Sequence, residues 1–244
     1  MKKVLVLGAS GLLGTRVSRE FLKSNFQVFA TVHSKTINSD YVPIKTLLSD
    51  FSDVKNLLAH DFDTIVNCAG LTSVDSCELR PEAAWQLNAT LPFWLAKLSY
   101  ISGAHFIHVS TDHFLNLRDI KLKESDKAVP LNQYGFSKLS AESFIRAANK
   151  HSLIIRSNFF HFNLYSPKTF LDHLIDGVKR KKVFYSFSDV FFTPISTLQL
   201  ATYIEALVNI DVAGVVNIAS SEILSKFDFH NAVLKEINAP LEFH

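Results

Sequence analysis

Short apolar runs alternate with longer stretches of helical periodicity over the first two thirds of the chain. The apolar runs are rich in β-branched residues and cover residues 4–7, 27–32, 64–66, 105–109 and 152–155. Stretches with helical spacing cover residues 12–23, 53–60, 81–102 and 133–149. Continuous apolar strands separated by helices are typical of a parallel sheet that is covered on both faces. The pattern therefore predicts an α/β fold of the Rossmann type, with a doubly wound parallel sheet.

A glycine-rich loop follows the first apolar run directly. Gly8, Gly11 and Gly14 are spaced by three residues and lead into the first helix. A tight strand-to-helix turn, close approach to a pyrophosphate and helix–strand packing each require glycine at such a site. Exposed N–H groups at the start of the helix bind phosphates. We predict that a dinucleotide binds here, in contact with Gly8, Ser10, Gly11, Leu12, Leu13 and Gly14.

The end of the second strand indicates which dinucleotide is preferred. An acidic residue there would bind the ribose 2′-hydroxyl of NAD, and a basic one accommodates the 2′-phosphate of NADP. The sequence has His33, Ser34 and Lys35, with no carboxylate before Asp40. We therefore expect NADP to be preferred, with NAD as the alternative. Asp50 either binds the adenine amino group or caps the next helix, and the sequence does not separate the two.

The chain after residue 157 has a different character. Residues 159–182 are aromatic-rich, and helices are predicted at 168–180, 197–209 and 226–237, with a short apolar run at 215–218. Substrates of doubly wound proteins bind over the carboxyl ends of the strands. We expect residues 1–157 to form the NAD(P)-binding domain and residues 158–244 a small substrate-binding lobe continuous with it.

Charge and apolar content argue against several kinds of partner. The 244 residues carry a net charge of +2, too balanced for binding to nucleic acid or an anionic membrane surface. No apolar run approaches the ~20 residues that span a bilayer, and the N-terminal run is too short for a signal peptide. Cys68 and Cys77 form neither a disulfide framework nor a metal-ligand cluster. We expect a cytoplasmic protein.

Tyr134 and Lys138 are four residues apart, which places them on one face of a helix. A nearby ammonium would lower the pKa of a tyrosine and make it a better acid–base group. Thr111 follows the strand at 105–109 and could hydrogen-bond a substrate oxygen. Together with the glycine loop, the three residues predict a catalytic site, in which Lys138 also contacts the cofactor ribose.

These motifs resemble those of the extended short-chain dehydrogenases, and within them the dTDP-4-dehydrorhamnose reductase family. The resemblance rests on the glycine loop, on Asn88 and on the segments Asn67-Cys68-Ala69-Gly70, Val74-Asp75-Ser76-Cys77-Glu78, Val109-Ser110-Thr111-Asp112 and Pro130-Leu131-Asn132-Gln133-Tyr134-Gly135-Phe136-Ser137-Lys138-Leu139-Ser140-Ala141-Glu142. It implies NAD(P)H-dependent reduction of the 4-keto group of a nucleotide sugar, in deoxysugar or surface-polysaccharide synthesis. In that reaction Tyr134 would protonate the alkoxide, Lys138 would tune Tyr134, and Thr111 would orient the carbonyl. Cys68, Ala69 and Gly70 would contact the cofactor.

The sugar-facing segments depart from the family pattern. His113-Phe114-Leu115-Asn116-Leu117 stands where the family has Tyr-Val-Phe-Asp-Gly, and Arg156-Ser157-Asn158-Phe159 replaces Arg-Thr-Ser-Trp. Asp189-Val190-Phe191-Phe192-Thr193-Pro194-Ile195 replaces Asp-Gln-x-Gly-x-Pro-Thr. We expect Thr111, Asn158 and Phe159 to contact the substrate. The motifs constrain the reaction more closely than they constrain the identity of the sugar.

Two other functions remain open. One is a nucleotide-sugar epimerase or dehydratase with retained NAD; Asp112 follows Thr111 without an adjacent Glu, which disfavours the dehydratase. The other is a non-catalytic subunit like the regulatory subunit of methionine adenosyltransferase, against which the intact Thr111, Tyr134 and Lys138 argue.

Other conspicuous side chains are interpreted as structural. His105 and His108 lie on opposite faces of a strand, which does not suit a shared metal ion. Trp85 and Trp94 serve either in packing or at the surface of a possible homodimer.

Overall fold

A computed structural model describes residues 1–32, 40–114, 122–161, 170–180, 185–210 and 212–237. The strands are β1 (Lys3–Leu7), β2 (Gln27–Val32), β3 (Val42–Lys45), β4 (Thr64–Asn67), β5 (His105–Val109), β6 (Leu153–Arg156), β7 (Asn158–Phe160), β8 (Phe191–Phe192), β9 (Pro194–Ser196), β10 (Gly214–Asn217) and β11 (Leu224–Ser225). The α-helices are α1 (Leu12–Lys23), α2 (Phe51–Lys55), α3 (Val74–Leu79), α4 (Pro81–Trp85), α5 (Leu91–Ser102), α6 (Gln133–Ala148), α7 (Phe170–Lys179), α8 (Thr197–Asn209) and α9 (Lys226–Glu236). A 3₁₀ turn at Asn56–His60 continues α2.

A parallel sheet organises the described part of the chain. Its seven strands lie in the order β10-β6-β5-β4-β1-β2-β3, and the pairs within it are parallel. The order reverses at β1, so the carboxyl ends of β1 and β4 flank the crevice in which doubly wound proteins bind their ligands. The predicted fold class is confirmed.

Alternate residues of each strand face two separate apolar layers. Val4 and Val6 of β1 pack with the buried faces of α1 and α8. Leu5 and Leu7 face the opposite layer, which contains buried residues of α5 and α6. Helices therefore cover both faces of the sheet, as its continuous apolar strands require. Trp85 and Trp94 pack against the second layer, in agreement with the packing interpretation.

Two of the differences from the sequence-based expectation have a local cause in proline. Strand β3 was not predicted, because it is a short edge strand with Pro43 and mostly exposed side chains. The single helix expected at 81–102 consists of α4, a π-helical turn at Gln86–Thr90, and α5. Pro92 lacks the N–H that would bond to the carbonyl of Asn88, so a regular α-helix cannot continue there.

The chain after residue 157 contributes to two parts of the molecule. It supplies β10 at the edge of the sheet and α8 against α1. It also forms a third apolar cluster, in which α7, β8 and α9 meet through Leu171, Phe192 and Phe229. The division at residue 157 thus stays a proposal, with a second part that shares the core of the first. Among the described helices, none has the length and hydropathy needed to cross a bilayer.

Candidate active site

The glycine loop is shaped by contacts that leave no room for side chains. Gly8 has a φ of 75°, and a Cβ there would lie 2.9 Å from the N of Ala69. A Cβ on Gly14 would lie 2.1 Å from the carbonyl oxygen of Gly8, whereas one on Gly11 would meet only that oxygen, at 3.1 Å. Gly8 and Gly14 are therefore required by the fold, whereas the contact of Gly11 with the ligand stays a prediction.

The first turn of α1 is available to an anion. Its N-cap residue, Gly11, provides no side-chain hydrogen bond to the helix, so the N–H groups of the first turn are left for a ligand. Leu12 and Leu13 border a cavity of about 490 Å³, as do Cys68, Ala69 and Gly70 after β4. An uncapped helix N-terminus beside a glycine cradle fits the pyrophosphate of a dinucleotide.

The remaining predicted cofactor contacts are less defined. Ser10 is exposed in the loop between β1 and α1. His33, Ser34 and Lys35 lie outside the described residues, so the preference for NADP over NAD is not addressed by this region. Asp50 caps α2, because its carboxylate accepts the N–H of Asp53 at 2.9 Å. The capping role is thus observed, and the adenine contact stays a prediction.

Thr111, Tyr134 and Lys138 all border the same cavity. Thr111 follows β5, and Tyr134 and Lys138 lie on the first turns of α6. That helix begins where the Asn132 side chain accepts the N–H of Gly135 at 2.9 Å. The structure therefore brings the three predicted catalytic residues together, beside the glycine loop.

Burial sets the pKa of Tyr134 in this structure, and the tuning of Tyr134 by Lys138 stays a prediction. Burial raises the pKa of Tyr134 to about 12, and a hydrogen bond with Thr111 only partly opposes this. The Lys138 amine points elsewhere and donates to the carbonyl of Val109 at 2.6 Å. The phenol of Tyr134 is therefore protonated at neutral pH, which is the starting state of a proton donor.

Lys138 lies against a histidine that was interpreted as structural. Nζ of Lys138 is 3.1 Å from Nε2 of His108, and burial lowers the pKa of Lys138 to about 8. Nδ1 of His108 is 3.2 Å from the amide nitrogen of Asn67. His108 and His105 do lie on opposite faces of β5, but His108 contacts a lysine that borders the cavity. Only the spacing of His108 from Thr111 could have indicated this.

Buried polar contacts fix the strands and helices around these residues. Glu142 pairs with Arg156 at 2.8 Å and accepts the hydroxyl of Ser110 at 2.7 Å, which ties α6 to the ends of β5 and β6. Asn88 accepts the N–H of Leu71 at 2.8 Å and donates to Ser137 at 3.1 Å. The contacts of Glu142 and Ser137 hold α6, which carries Tyr134 and Lys138, against the neighbouring elements.

The far side of the cavity is apolar and positively charged. Asn158 and Phe159, both predicted substrate contacts, border it together with His113, Phe192 and Lys226. The Lys226 amine lies 3.5 Å above the Phe192 ring. Lys226 supplies a cation on this side, and the described lining of the cavity contains no carboxylate. Such a cavity favours anionic ligands.

Comparison with known proteins identifies the group. Residues 1–242 match the model of the RmlD substrate-binding domain. A probable low-salt glycan biosynthesis reductase of Haloferax volcanii is 31% identical over 95% of this chain and 79% of its own length. The structure of a hypothetical dTDP-4-dehydrorhamnose reductase from Sulfolobus tokodaii has a TM-score of 0.88 at 30% identity, covering 100% of this chain and 85% of that one. That of a Bacillus anthracis dTDP-4-dehydrorhamnose reductase in complex with NADP has a TM-score of 0.85 at 22% identity, covering 100% and 84%. The predicted family is confirmed: the chain belongs to the RmlD substrate-binding domain family of extended short-chain dehydrogenases.

Proposed function

We propose that the protein is an NADPH-dependent oxidoreductase that reduces the 4-keto group of a nucleotide-activated deoxysugar, in deoxysugar or surface-polysaccharide synthesis. The observation that carries this proposal is the meeting of Thr111, Tyr134 and Lys138 at one cavity with the glycine loop. Relatives named as a glycan biosynthesis reductase and as dTDP-4-dehydrorhamnose reductases support the same class of reaction.

The cofactor would occupy the side of the cavity bordered by the glycine loop. Its pyrophosphate would accept from the N–H groups of Leu12 and Leu13, and Lys138 would reach the ribose beside the nicotinamide. When bound, NADPH supplies the hydride. The preference for NADPH over NADH rests on the absence of an acidic residue after β2 and on Lys35, together with the NADP complex of the related fold.

Tyr134 supplies the proton. Its phenol, kept protonated by burial, donates to the carbonyl oxygen of the substrate as that oxygen gains negative charge. The Thr111 hydroxyl, whose oxygen accepts the N–H of His113 at 3.2 Å, would hold the same substrate oxygen in line. Both groups are fixed before substrate arrives, which reduces the cost of orienting them during the reaction.

The substrate would bind on the side of Asn158, Phe159 and Lys226. Phe159 offers an apolar surface to the sugar ring, and Lys226 offers a cation to an oxygen of the substrate. The replacement of the family's Trp by Phe159 and of its Gly by Phe192 changes the shape of this side. The accepted sugar is therefore expected to differ in substituents more than in the position of its ketone. A homodimer and a cytoplasmic location stay predictions.

A panel of 4-keto nucleotide sugars, with NADPH oxidation as the readout, tests this function. We expect at least one ketone to be reduced, and the product's C4 hydroxyl to be identified by NMR. NADPH binding without reduction of any ketone would favour the non-catalytic alternative. Tightly retained NAD with interconversion of sugar epimers would favour the epimerase.

A further inference from the structure

Three buried side chains form a polar chain beneath the site. Asn67 ends β4, His108 lies near the end of β5, and Lys138 projects from α6. Asn67 and His108 are 0% exposed and Lys138 is 4% exposed. The Asn67 amide nitrogen lies 3.2 Å from Nδ1 of His108, and Nε2 of His108 lies 3.1 Å from Nζ of Lys138. A buried chain of this kind has a direction, set by which atom donates at each link.

A backbone contact determines the direction at Asn67. Its side-chain oxygen accepts the N–H of Ala69 at 3.0 Å, so its amide nitrogen is the atom that faces His108. That nitrogen only donates, and Nδ1 of His108 must therefore accept. Burial, the largest cause, holds the pKa of His108 well below its usual range, so the ring is neutral. A neutral ring whose Nδ1 accepts carries its proton on Nε2.

The Nε2–H of His108 is directed at the Lys138 amine. An ammonium has only donors and would oppose this N–H, whereas a neutral amine offers a lone pair to it. The amine still donates one N–H to the Val109 carbonyl. The neutral form of Lys138 therefore fits both of these contacts.

Other titratable groups also face Lys138. Glu142 lies on the same helix and is already paired with Arg156 from β6. Cys68 faces it from the end of β4. Glu142 and Cys68 favour the ammonium and burial opposes it, with burial the larger effect. His108 adds to burial on the same side of this balance.

We propose that His108, oriented by Asn67, is a positioning residue that donates a hydrogen bond to the Lys138 amine and keeps this lysine able to exchange its proton at mildly alkaline pH. The catalytic consequence rests on the proposed function, but the hydrogen-bond arrangement does not. In the reduction, the alkaline limit of activity would then follow the titration of Lys138.

The tautomer of His108 provides the first test, and it needs neither cofactor nor substrate. Protein with ¹⁵N-labelled histidine is examined by two-bond ¹H–¹⁵N NMR from about pH 6 to 9, and His108→Leu assigns the signal. We expect a neutral ring with the proton on Nε2 throughout this range. A proton on Nδ1, or a doubly protonated ring near pH 6, overturns the proposal.

The titration of Lys138 provides the second test, because the two directions of the hydrogen bond predict opposite shifts. It is followed through the ¹³Cε signal of labelled lysine, assigned with Lys138→Met. If His108 donates, His108→Leu removes an opposing N–H and moves the midpoint up, by about one pH unit. If His108 instead accepts from the ammonium, the same substitution moves the midpoint down, which contradicts the proposal.

Two further variants complete the design. His105→Leu, on the same strand but facing away from the site, should leave the Lys138 midpoint unchanged. Asn67→Asp offers only acceptors to Nδ1 and should move the proton of His108 from Nε2 to Nδ1, even if His108→Leu does not fold. A wild-type protein with the expected tautomer that reduces no ketone would overturn the proposed function alone.

Discussion

Asp112 shows how a single buried carboxyl can work against the stability of the fold. It is 7% exposed, and its Oδ1 accepts from the Asn158 amide at 3.1 Å. Among the described residues its Oδ2 has no hydrogen-bond partner. Burial raises the pKa of Asp112 to about 6, against the attraction of Lys226. The carboxylate form of Asp112, beside Thr111, therefore lowers the free energy of unfolding.

The pH dependence of stability should reveal this cost. Because the pKa is raised in the folded state, the folded protein binds the proton more tightly, and stability falls as pH rises from about 4 to about 6. Above pH 6 the penalty is complete and is on the order of 3 kcal/mol. Asp112→Asn should therefore gain stability relative to wild type between pH 4 and pH 7, measured by urea unfolding. A difference that does not change with pH would contradict this.

Tyr134 is the residue on which turnover should depend most. Tyr134→Phe keeps the ring and removes the proton, so the rate should fall by about two to four orders of magnitude while NADPH affinity is retained. Tyr100→Phe, on the exposed side of α5, is the matched control and should turn over normally. Equal rates for Tyr134→Phe and wild type would exclude Tyr134 as the acid.

At the scale of elements, the loop between β1 and α1 contains two glycines, Gly14 and Gly11, with different roles. The Cβ added by Gly14→Ala would overlap the carbonyl of Gly8, whereas that of Gly11→Ala meets only one atom at the limit of contact. The first substitution disturbs how the helix leaves the strand. The second places a methyl group where a ligand would approach.

Gly14→Ala and Gly11→Ala should thus fail in different ways. We expect Gly14→Ala to lose about 1–3 kcal/mol or more of unfolding free energy, as overpacked sites do. Gly11→Ala should unfold close to the wild-type temperature and bind NADPH at least about tenfold more weakly. Calorimetry and fluorescence titration of both variants measure the two effects. The reverse pattern would remove Gly11 from the cofactor site.

Helix α9 brings a cation to the substrate side of the cavity through its first residue. Lys226→Met keeps the length of the side chain and removes the charge. We expect KM for the nucleotide sugar to rise about tenfold, the size of one hydrogen bond to a charged group, with little change in kcat. Lys235→Met, exposed on the same helix, should change neither constant. A loss confined to kcat would place Lys226 in the chemical step instead.

At the scale of the whole molecule, one apolar core contains residues from both sides of residue 157. Helix α8 packs Leu200, Ala201 and Ile204 into the same apolar layer as Val17 and Phe21 of α1. β10 covers the edge of β6. The two parts proposed at residue 157 are therefore expected to unfold together.

Two positions on α8 test this coupling. Ile204 is 0% exposed and Leu198 is 52% exposed. Ile204→Ala should cost about 2–5 kcal/mol, and Leu198→Ala about 0.5 kcal/mol or less. Both variants should unfold in a single transition by circular dichroism and by tyrosine fluorescence. Separate transitions for the two probes would show that the parts fold independently.

Local sequence patterns determined the elements and the identity of the reacting groups. Apolar runs and helical spacing located α1, β2, β5 and α8 with the bounds seen in the structure, since each is a regular element whose pattern depends on near neighbours. The spacing of Tyr134 and Lys138 placed both on one helix for the same reason. Thr111, Asn158 and Phe159 also reach the cavity that the motifs predicted.

Contacts between residues far apart in the chain decided the rest. The protonation of Tyr134 and of Lys138 depends mainly on burial, and no local spacing indicates the distance from Lys138 to His108 or to Val109. Lys226 reaches the cavity only because α9 packs against β8. Sequence periodicity reports which face of an element is buried, whereas the tertiary structure alone decides which polar groups meet there and therefore which of them can hold or release a proton.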